Sequence, residues 1–287
     1  MFKNLSPGAI GIRGLSLARS LDLARRTGFA GVDLNIGEAA ELADRDGVGV
    51  VRQLFEDAGV RQGSWGLPVA WHDDERWQED LQHLPRLATL ARQLGCTRTA
   101  AWCPPASDVR PFEENFAWHV AHFRPIAQVL ADHGCRLGIE FIGPKTLRRG
   151  RKYEFIYTLD GMMELAGAID TGNVGLLLDA WHLYTSGASL DALDAITAQD
   201  IVVVHINDAP AGIPLDEQID NVRRLPMETG VIDLVGFMNK LAALGYDGPV
   251  TPEPFSAPLN DIAAHDPLQA AQITAEAMKR LWQAAGL

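Results

Sequence analysis

One pattern of hydrophobic and polar positions repeats along the chain: an amphipathic helix, a glycine, a few residues and a short apolar strand. The helices place apolar residues on one side, as at Leu234, Phe237, Met238 and Leu241. A glycine ends a helix readily, because a residue without a Cβ adopts the left-handed conformation at little cost. The predicted helix-ending glycines are Gly28, Gly59, Gly95, Gly134, Gly172 and Gly245.

The predicted strands are short and almost continuously apolar, which is typical of parallel strands covered on both faces. Eight are predicted, at about residues 7–12, 30–36, 61–67, 97–103, 136–142, 174–180, 201–207 and 248–254. Eight alternating units in 287 residues match the (β/α)8 TIM barrel, which usually has about 250 residues. An open doubly wound sheet is the alternative, but no G-x-G-x-x-G motif follows the first strand. The sequence therefore predicts one (β/α)8 TIM barrel domain over residues 1–287.

Composition and charge narrow the classes of partner. The hydrophobic content of 47% can fill a sizeable core, and the formal net charge of -12 disfavours nucleic acid, whose binding needs a basic surface. No apolar run approaches membrane-spanning length, and the first residues lack the apolar stretch of a signal peptide. The three cysteines show no metal-binding spacing. We expect a cytoplasmic protein that binds no membrane and acts on a small molecule. The sequence does not decide between a monomer and a homo-oligomer.

Four side chains with oxygen or nitrogen donors lie at the ends of four successive apolar runs: Glu140, Asp179, His205 and Glu253. One such residue alone is commonly a helix cap or a locally satisfied polar group. Four at equivalent positions on predicted strands five to eight converge, because the active site of a barrel lies at the carboxyl ends of its strands. Three carboxylates and one imidazole suit a hard divalent ion. The sequence predicts one metal ion, with Mn²⁺ preferred and Mg²⁺, Co²⁺ or Zn²⁺ as alternatives.

Other polar and aromatic residues near the predicted strand ends are candidates for contact with a substrate. His182 and Asp208 each follow a predicted ligand by three residues, which places them in the loops above the strands. There His182 could meet a substrate and Asp208 could orient a metal ligand. Trp65 and Trp102 follow strands three and four and could form an apolar wall, although tryptophan commonly serves packing alone.

Two cationic stretches could attract an anionic substrate or hold its hydroxyl groups. The segment KTLRRGRK, residues 145–152, begins with Lys145 and directly follows strand five. A run of charge is usually a solvated surface, but this one lies on the predicted active-site side. Arg223 and Arg224 form the second stretch, and Glu228 beyond them is a candidate for supporting the metal ligands.

Five segments resemble those of the sugar-phosphate isomerase/epimerase superfamily, the xylose-isomerase-like TIM barrels: GIEF, LLLDAWHLYTSG, VVHINDAP, RRLPMETGVIDL and PVTPEPF. The resemblance covers nearly the whole chain and is strongest over residues 136–256. It implies a metal site at the four residues given above, with Glu140 and Glu253 as acid/base groups on either side of a bound hydroxy-ketone. It also implies that His182 lies near the substrate oxygens.

The predicted site fits proton transfer next to a carbonyl, because a metal ion stabilises the negative charge of an enediolate. We therefore expect a metal-dependent isomerase or epimerase of a sugar or cyclic polyol ketone. The alternative is a dehydratase of the inosose or dehydroshikimate type. An apurinic-site endonuclease is less favoured, because those enzymes bind three metals through more histidines than this chain places at strand ends. A non-catalytic sugar-binding barrel would be expected to lack one of the four ligands, and all four are present.

Overall fold

The computed structural model describes all residues, 1–287. Its strands are β1 (Phe2–Leu5), β2 (Gly31–Val32), β3 (Arg61–Gln62), β4 (Trp65–Gly66), β5 (Arg98–Cys103), β6 (Ala106–Ser107), β7 (Arg136–Phe141), β8 (Tyr153–Glu154), β9 (Val174–Asp179), β10 (Ile201–Ile206) and β11 (Pro249–Pro252). Its helices are α1 (Leu17–Thr27), α2 (Ile36–Asp46), α3 (Val48–Ala58), α4 (Trp77–Leu94), α5 (Phe112–Asp132), α6 (Leu159–Ile169), α7 (Ala180–Thr185), α8 (Leu234–Leu244), α9 (Ala257–His265) and α10 (Pro267–Ala284). None of these helices has the length and apolar character needed to cross a membrane.

The large sheet is parallel throughout and follows the order β3-β2-β1-β11-β10-β9-β7-β5-β4. β3 and β4 are two parts of one strand, interrupted at Gly63 and Ser64, and they pair with β2 and β5 respectively. A Cβ on Gly63 would lie 2.2 Å from Oδ1 of Asn4, whose side chain extends from β1, so this close approach requires glycine. The sheet therefore closes into an eight-stranded (β/α)8 TIM barrel, as predicted.

The predicted glycines do end helices. Gly28, Gly59, Gly95 and Gly245 take left-handed φ angles of 76°, 62°, 78° and 81° directly after α1, α3, α4 and α8. Gly134 and Gly172 are also left-handed and follow α5 and α6 by two and three residues. The turn chemistry readable in the sequence thus fixes where these helices stop.

The first predicted strand, at 7–12, is wrong. Residues Gly8–Ile10 form a 3-10 helix, and Gly11 has a left-handed φ of 83°. The first strand is instead Phe2–Leu5, which pairs with β2 and β11. Ile10 and Ile12 are apolar because their side chains pack into the core from a 3-10 turn, and this apolar pattern was interpreted as a strand. The second strand is also shorter than predicted, since Asn35 already caps α2.

The strands that matter for the site are neighbours in the barrel. Each strand pairs with the next in the series β7, β9, β10 and β11. The register places His205 beside Asp179 of β9 on one side and beside Thr251 of β11 on the other. Glu140 lies opposite Trp102 across β7 and β5. Parallel pairing therefore brings the carboxyl ends of these strands to one rim.

Candidate metal centre

The four predicted ligands come together at this rim. Glu140 lies on β7, Asp179 ends β9, His205 lies on β10 and Glu253 follows β11 by one residue. Each offers a donor atom, and these atoms all lie within 4.8 Å of one another. The helix-cap role that one such residue can have alone is also present, because Oδ1 of Asp179 accepts a 2.7 Å hydrogen bond from the amide of Trp181. The carboxylate of Asp179 therefore caps α7 and also contributes a donor atom to the cluster.

Two donor atoms in the cluster are buried without a hydrogen-bond partner, Oε1 of Glu140 and Nδ1 of His205. Burial raises the pKa of Glu140 well above 4.5, and the carboxylates of Asp179 and Glu253 raise it further. Buried polar atoms are normally satisfied, and an unmatched group is costly. A divalent cation would satisfy both atoms and offset the mutual repulsion of the carboxylates. The donor set therefore fits the predicted hard metal ion.

His205 and Glu253 form a close pair, with 3.4 Å between Nδ1 and Oε2. Burial acts to lower the pKa of His205, but the carboxylates, that of Glu253 first, raise it to about 10. Burial acts to raise the pKa of Glu253, yet His205 and Arg223 outweigh it and hold the pKa below 4.5. The imidazolium thus supplies positive charge to the cluster. Because a metal ligand must be a neutral imidazole, metal binding would release this proton.

Arg223 enters the same cluster and is 1% exposed. Its Nη1 donates to Oδ2 of Asp179 at 2.8 Å and to Oε2 of Glu253 at 3.1 Å, and its Nη2 donates to Oδ1 of Asp220 at 2.8 Å. Burial acts to lower the pKa of Arg223, but these three carboxylates outweigh it and raise the pKa. Arg223 was predicted as a substrate anchor, and the structure places it against both the ligands and the cavity.

His182 is 1% exposed and also borders the cavity. Its Nδ1 accepts a 3.2 Å hydrogen bond from the amide of Gly143. Its Nε2 lies 3.1 Å from Nη2 of Arg223 and 3.8 Å from Oε1 of Glu140. Burial lowers the pKa of His182 to about 3, and Arg223 acts in the same direction. At neutral pH this imidazole is uncharged.

A cavity of about 510 Å³ opens above the cluster, a volume typical of small-molecule sites. Glu140, Glu253, His182 and Arg223 reach it, whereas Asp179 and His205 are not part of its lining. Trp102 is half-exposed and lines the cavity. The other apolar lining residues are Pro104, Pro105, Ala106, Ile142, Leu147 and Phe255.

Trp65 does not line the cavity. Its side chain is 1% exposed in the barrel core, and its Nε1 donates to the carbonyl of Cys96 at 2.9 Å. Trp65 begins β4 and pairs with Thr99 of β5, so it does not lie at the carboxyl end of its strand as the sequence suggested. The prediction that Trp65 contacts substrate is therefore replaced by a packing role.

Lys145 does not line the cavity either. It is half-exposed and pairs with Asp216, while Arg149 pairs with Glu217 and Arg151 with Asp108. Most of the positive charge of residues 145–152 is thus compensated by acidic side chains far away in sequence. Of these cations, Arg151 alone borders the cavity.

Asp208, Arg224 and Glu228 support a loop and do not reach the cavity. Asp208 is fully buried, and its carboxylate accepts hydrogen bonds from the amides of Thr229, Gly230 and Ile232. Arg224 donates to the carbonyl of Arg223 and lies 3.7 Å from Glu228. Since Arg223 precedes this loop directly, the loop fixes where its guanidinium enters the cluster.

Sequence reasoning missed three polar residues of the site: Asn207, Asp220 and Asn221, the last of which also lines the cavity. Asn207 is fully buried, and its Nδ2 lies 3.3 Å from Oδ1 of Asp179. Its position two residues after His205 was the signal, since strand residues two apart share a face. Asp220 lines the cavity and holds Arg223. It lies in a loop without periodicity, so no sequence signal pointed to it.

Comparison with known proteins defines the class. The profile of the xylose isomerase-like TIM barrel family matches residues 21–282, and the chain belongs to this family. A xylose isomerase domain protein from Alicyclobacillus acidocaldarius is 31% identical, with a TM-score of 0.87 and 100% of both chains covered. These findings confirm the resemblance that the sequence motifs indicated.

Two curated relatives and a further structure are more distant. The inosose isomerase of Bacillus velezensis is 22% identical over 72% of this chain and 70% of its own length. The 3-dehydroshikimate dehydratase of Pseudomonas aeruginosa is 27% identical over 63% of this chain and 27% of its own length. The IOLI protein, whose crystal structure holds a zinc atom, is 18% identical with a TM-score of 0.78, covering 100% of this chain and 98% of that one. The relatives named by activity are enzymes.

Proposed function

We propose that this protein is a divalent-metal-dependent isomerase or epimerase of a sugar or cyclic polyol ketone. The observation that carries the proposal is the cluster of Glu140, Asp179, His205 and Glu253, with two buried donor atoms that lack partners. Its two glutamates reach the cavity, while the aspartate and the histidine lie behind them. This arrangement suits ligands that also act on a bound molecule.

The four residues of the cluster would hold the ion. When bound, a divalent ion supplies electrostatic stabilisation of negative charge that develops on neighbouring oxygens. Glu253 is kept ionised by His205 and Arg223, so its carboxylate can accept a proton from the carbon next to a ketone. Glu140 can return a proton from its own side of the cavity. Return to the same carbon gives an epimer, and return to the adjacent carbon gives an isomer.

His182 and Arg223 would orient the substrate. His182 lines the cavity with Nδ1 occupied by the amide of Gly143 and Nε2 3.1 Å from Nη2 of Arg223, so a hydroxyl or ketone oxygen bound here would lie against this imidazole–guanidinium pair. Arg223 keeps the buried carboxylates compensated. Trp102 offers an apolar face to the C–H side of a sugar.

A dehydratase is the second candidate, favoured by the likeness to the 3-dehydroshikimate dehydratase. The same two glutamates would serve, one removing the proton and the other protonating a departing hydroxyl. The product would then have lost one water and gained a double bond. This outcome is chemically distinct from isomerisation and epimerisation.

One screen separates these functions. Purified protein would be incubated with ketoses, inososes, hydroxypyruvate and 3-dehydroshikimate in the presence of Mn²⁺, Mg²⁺, Co²⁺ or Zn²⁺, and the products followed by NMR. We expect Mn²⁺ to give the highest activity because the donor set is oxygen-rich, and zinc is included because the IOLI structure holds it. Metal-loaded protein that converts none of these compounds would contradict the proposal.

A further inference from the structure

Phe255 combines a rare backbone conformation with a position at the cavity. It follows the proposed metal ligand Glu253 by two residues, and its side chain lines the cavity. Its φ is 37°, in the region that favours glycine. A non-glycine residue in this region is strained and persists only where its surroundings fix it, which is common at functional sites. The neighbours of Phe255 must therefore hold it in this conformation.

The ring of Phe255 contacts the guanidinium of Arg223. The central carbon of that guanidinium lies 4.8 Å from the centre of the Phe255 ring and 4.6 Å from the centre of the Trp181 ring. Trp181 is fully buried and Arg223 is 1% exposed, so the cation is almost completely removed from water. Aromatic faces attract a cation, and they do so more strongly when the cation is desolvated. Two aromatic rings thus help to hold the guanidinium in place.

The hydrogen bonds of Arg223 depend on a fixed orientation of its guanidinium. Nη1 donates to both Asp179 and Glu253, and Nη2 donates to Asp220. The donors of a guanidinium form a rigid planar fork, so a rotated group would lose some of these bonds. Asp220 lies in the loop after β10 and Phe255 in the loop after β11. Contacts from two loops therefore set the orientation together.

We propose that Phe255 is a positioning residue, whose strained backbone holds its ring against Arg223 and so fixes the guanidinium on Asp179 and Glu253. The direction of a side chain depends on the backbone φ, so relaxation of the strain would move the ring away from Arg223. Phe255 thus acts on two of the proposed metal ligands through Arg223. The contacts belong to the chain itself, and only the effect on turnover rests on the proposed function.

The first test is NMR of protein labelled with ¹⁵N-arginine, in buffer with Mg²⁺, which is diamagnetic. The Arg223 signals are those lost in Arg223→Lys. A held guanidinium rotates slowly about its C–N bonds, so the wild type should show separate Nη–H signals for Arg223. Phe255→Leu, which removes the ring, should draw them toward their average, and Phe255→Tyr, which keeps the ring, should not. Phe112→Leu is the matched control, because Phe112 is exposed and does not line the cavity.

The second test concerns the strain. Phe255→Gly and Phe255→Ala both remove the ring, but only glycine adopts a φ of 37° freely. Phe255→Gly should therefore have the higher Tm, by roughly 2 °C, although glycine normally lowers stability relative to alanine. An equal or lower Tm for Phe255→Gly would show that the backbone is not strained and would overturn this part of the proposal.

Kinetics give a third readout once a substrate is found. Loss of a group that orients the ligands of a metal site costs about 10–100-fold, and Phe255 acts one contact further away, so kcat should fall about tenfold in Phe255→Leu. Phe255→Tyr should recover most of this loss. KM should change less than kcat, because Glu253 is the proposed base and its orientation matters most for proton transfer.

Unchanged Arg223 signals in Phe255→Leu would overturn the proposal, and a rise in KM alone would then make Phe255 a substrate contact. Should Phe255→Leu not fold, Phe255→Gly carries the same NMR comparison. Because the NMR and Tm measurements need no turnover, an inactive protein with the expected signals would refute the proposed function alone.

Discussion

Two carboxylates at strand ends on opposite sides of the barrel have opposite surroundings. Asp33 follows β2, and its Oδ1 accepts from Nδ2 of Asn4 at 2.7 Å and from the amide and hydroxyl of Ser64, both at 2.9 Å. Oε1 of Glu140 on β7 is buried and accepts nothing. Position at a strand end is therefore not enough to identify a functional carboxylate. The carboxylate without hydrogen bonds, Glu140, is the better candidate for binding a cation.

The two sides also differ in the length of their strands. β7, β9 and β10 each have six residues, whereas β2, β3 and β4 have two. The long strands present their side chains in a regular register, and the metal cluster lies on that side. At the interruption between β3 and β4, the amide and hydroxyl of Ser64 donate to Asp33, which also accepts from Asn4 of β1. One side of the barrel holds the candidate metal cluster, and the other completes the closure.

The largest expected effect is on metal binding. His205→Ala and Asp179→Ala should each weaken binding of one divalent ion more than about 100-fold, since loss even of a residue that only supports a ligand costs about 10–100-fold. Elemental analysis and Mn²⁺ titration would measure this. Asp33→Asn is the matched control and should bind metal normally. Undiminished metal in both ligand variants would rule out the site.

Turnover should fall next most strongly in Glu253→Gln. The amide keeps an oxygen for the ion but cannot accept a proton, and general base catalysis is worth about 10²–10⁴-fold. Activity should therefore fall far more than metal content. Product NMR in D₂O should show solvent deuterium on the carbon next to the carbonyl for the wild type, unless the abstracted proton is shielded from solvent and returned. Near-normal rates in metal-loaded Glu253→Gln and Glu140→Gln would leave the glutamates as ligands only.

The stability of the metal-free protein should depend on pH through His205. The folded-state pKa of about 10 lies above the unfolded value of 6.5, so the folded state binds more protons between these values. The stabilisation is fully present below pH 6.5 and is lost as the pH rises to about 10, by up to about 5 kcal/mol, since each pKa unit corresponds to about 1.36 kcal/mol. Urea unfolding of wild type and His205→Asn at several pH values would measure it. An equal pH dependence in the two proteins would exclude His205 as its source.

The smallest effect is expected at the exposed cations. Lys145→Gln with Arg149→Gln should raise KM for a phosphorylated or carboxylated substrate less than about fivefold and leave a neutral sugar unaffected, because exposed pairs contribute about 0–1 kcal/mol. Kinetics at low and high salt would check this, since screening weakens such attraction. Equal changes for both kinds of substrate would make this segment a solvated surface.

Sequence by itself determined the features that local chemistry controls. Helix ends followed from glycines such as Gly95, and the four donors could be placed together because parallel strands in a barrel end at one rim. Family membership followed from the motifs around the same residues. These signals lie within a few residues of each other, so they can be read before the fold is known.

Only the tertiary structure decided which side chains are partners. Arg223 meets Asp179, 44 residues away, and Lys145 meets Asp216, 71 residues away. The side chain of Trp65 is buried in the core, and Arg148, within a run of mostly exposed cations, is buried and stacks on the ring of Tyr157. Hydrogen bonds and ion pairs between distant residues depend on how loops cross the barrel rim, and a periodic sequence pattern carries no information about that crossing.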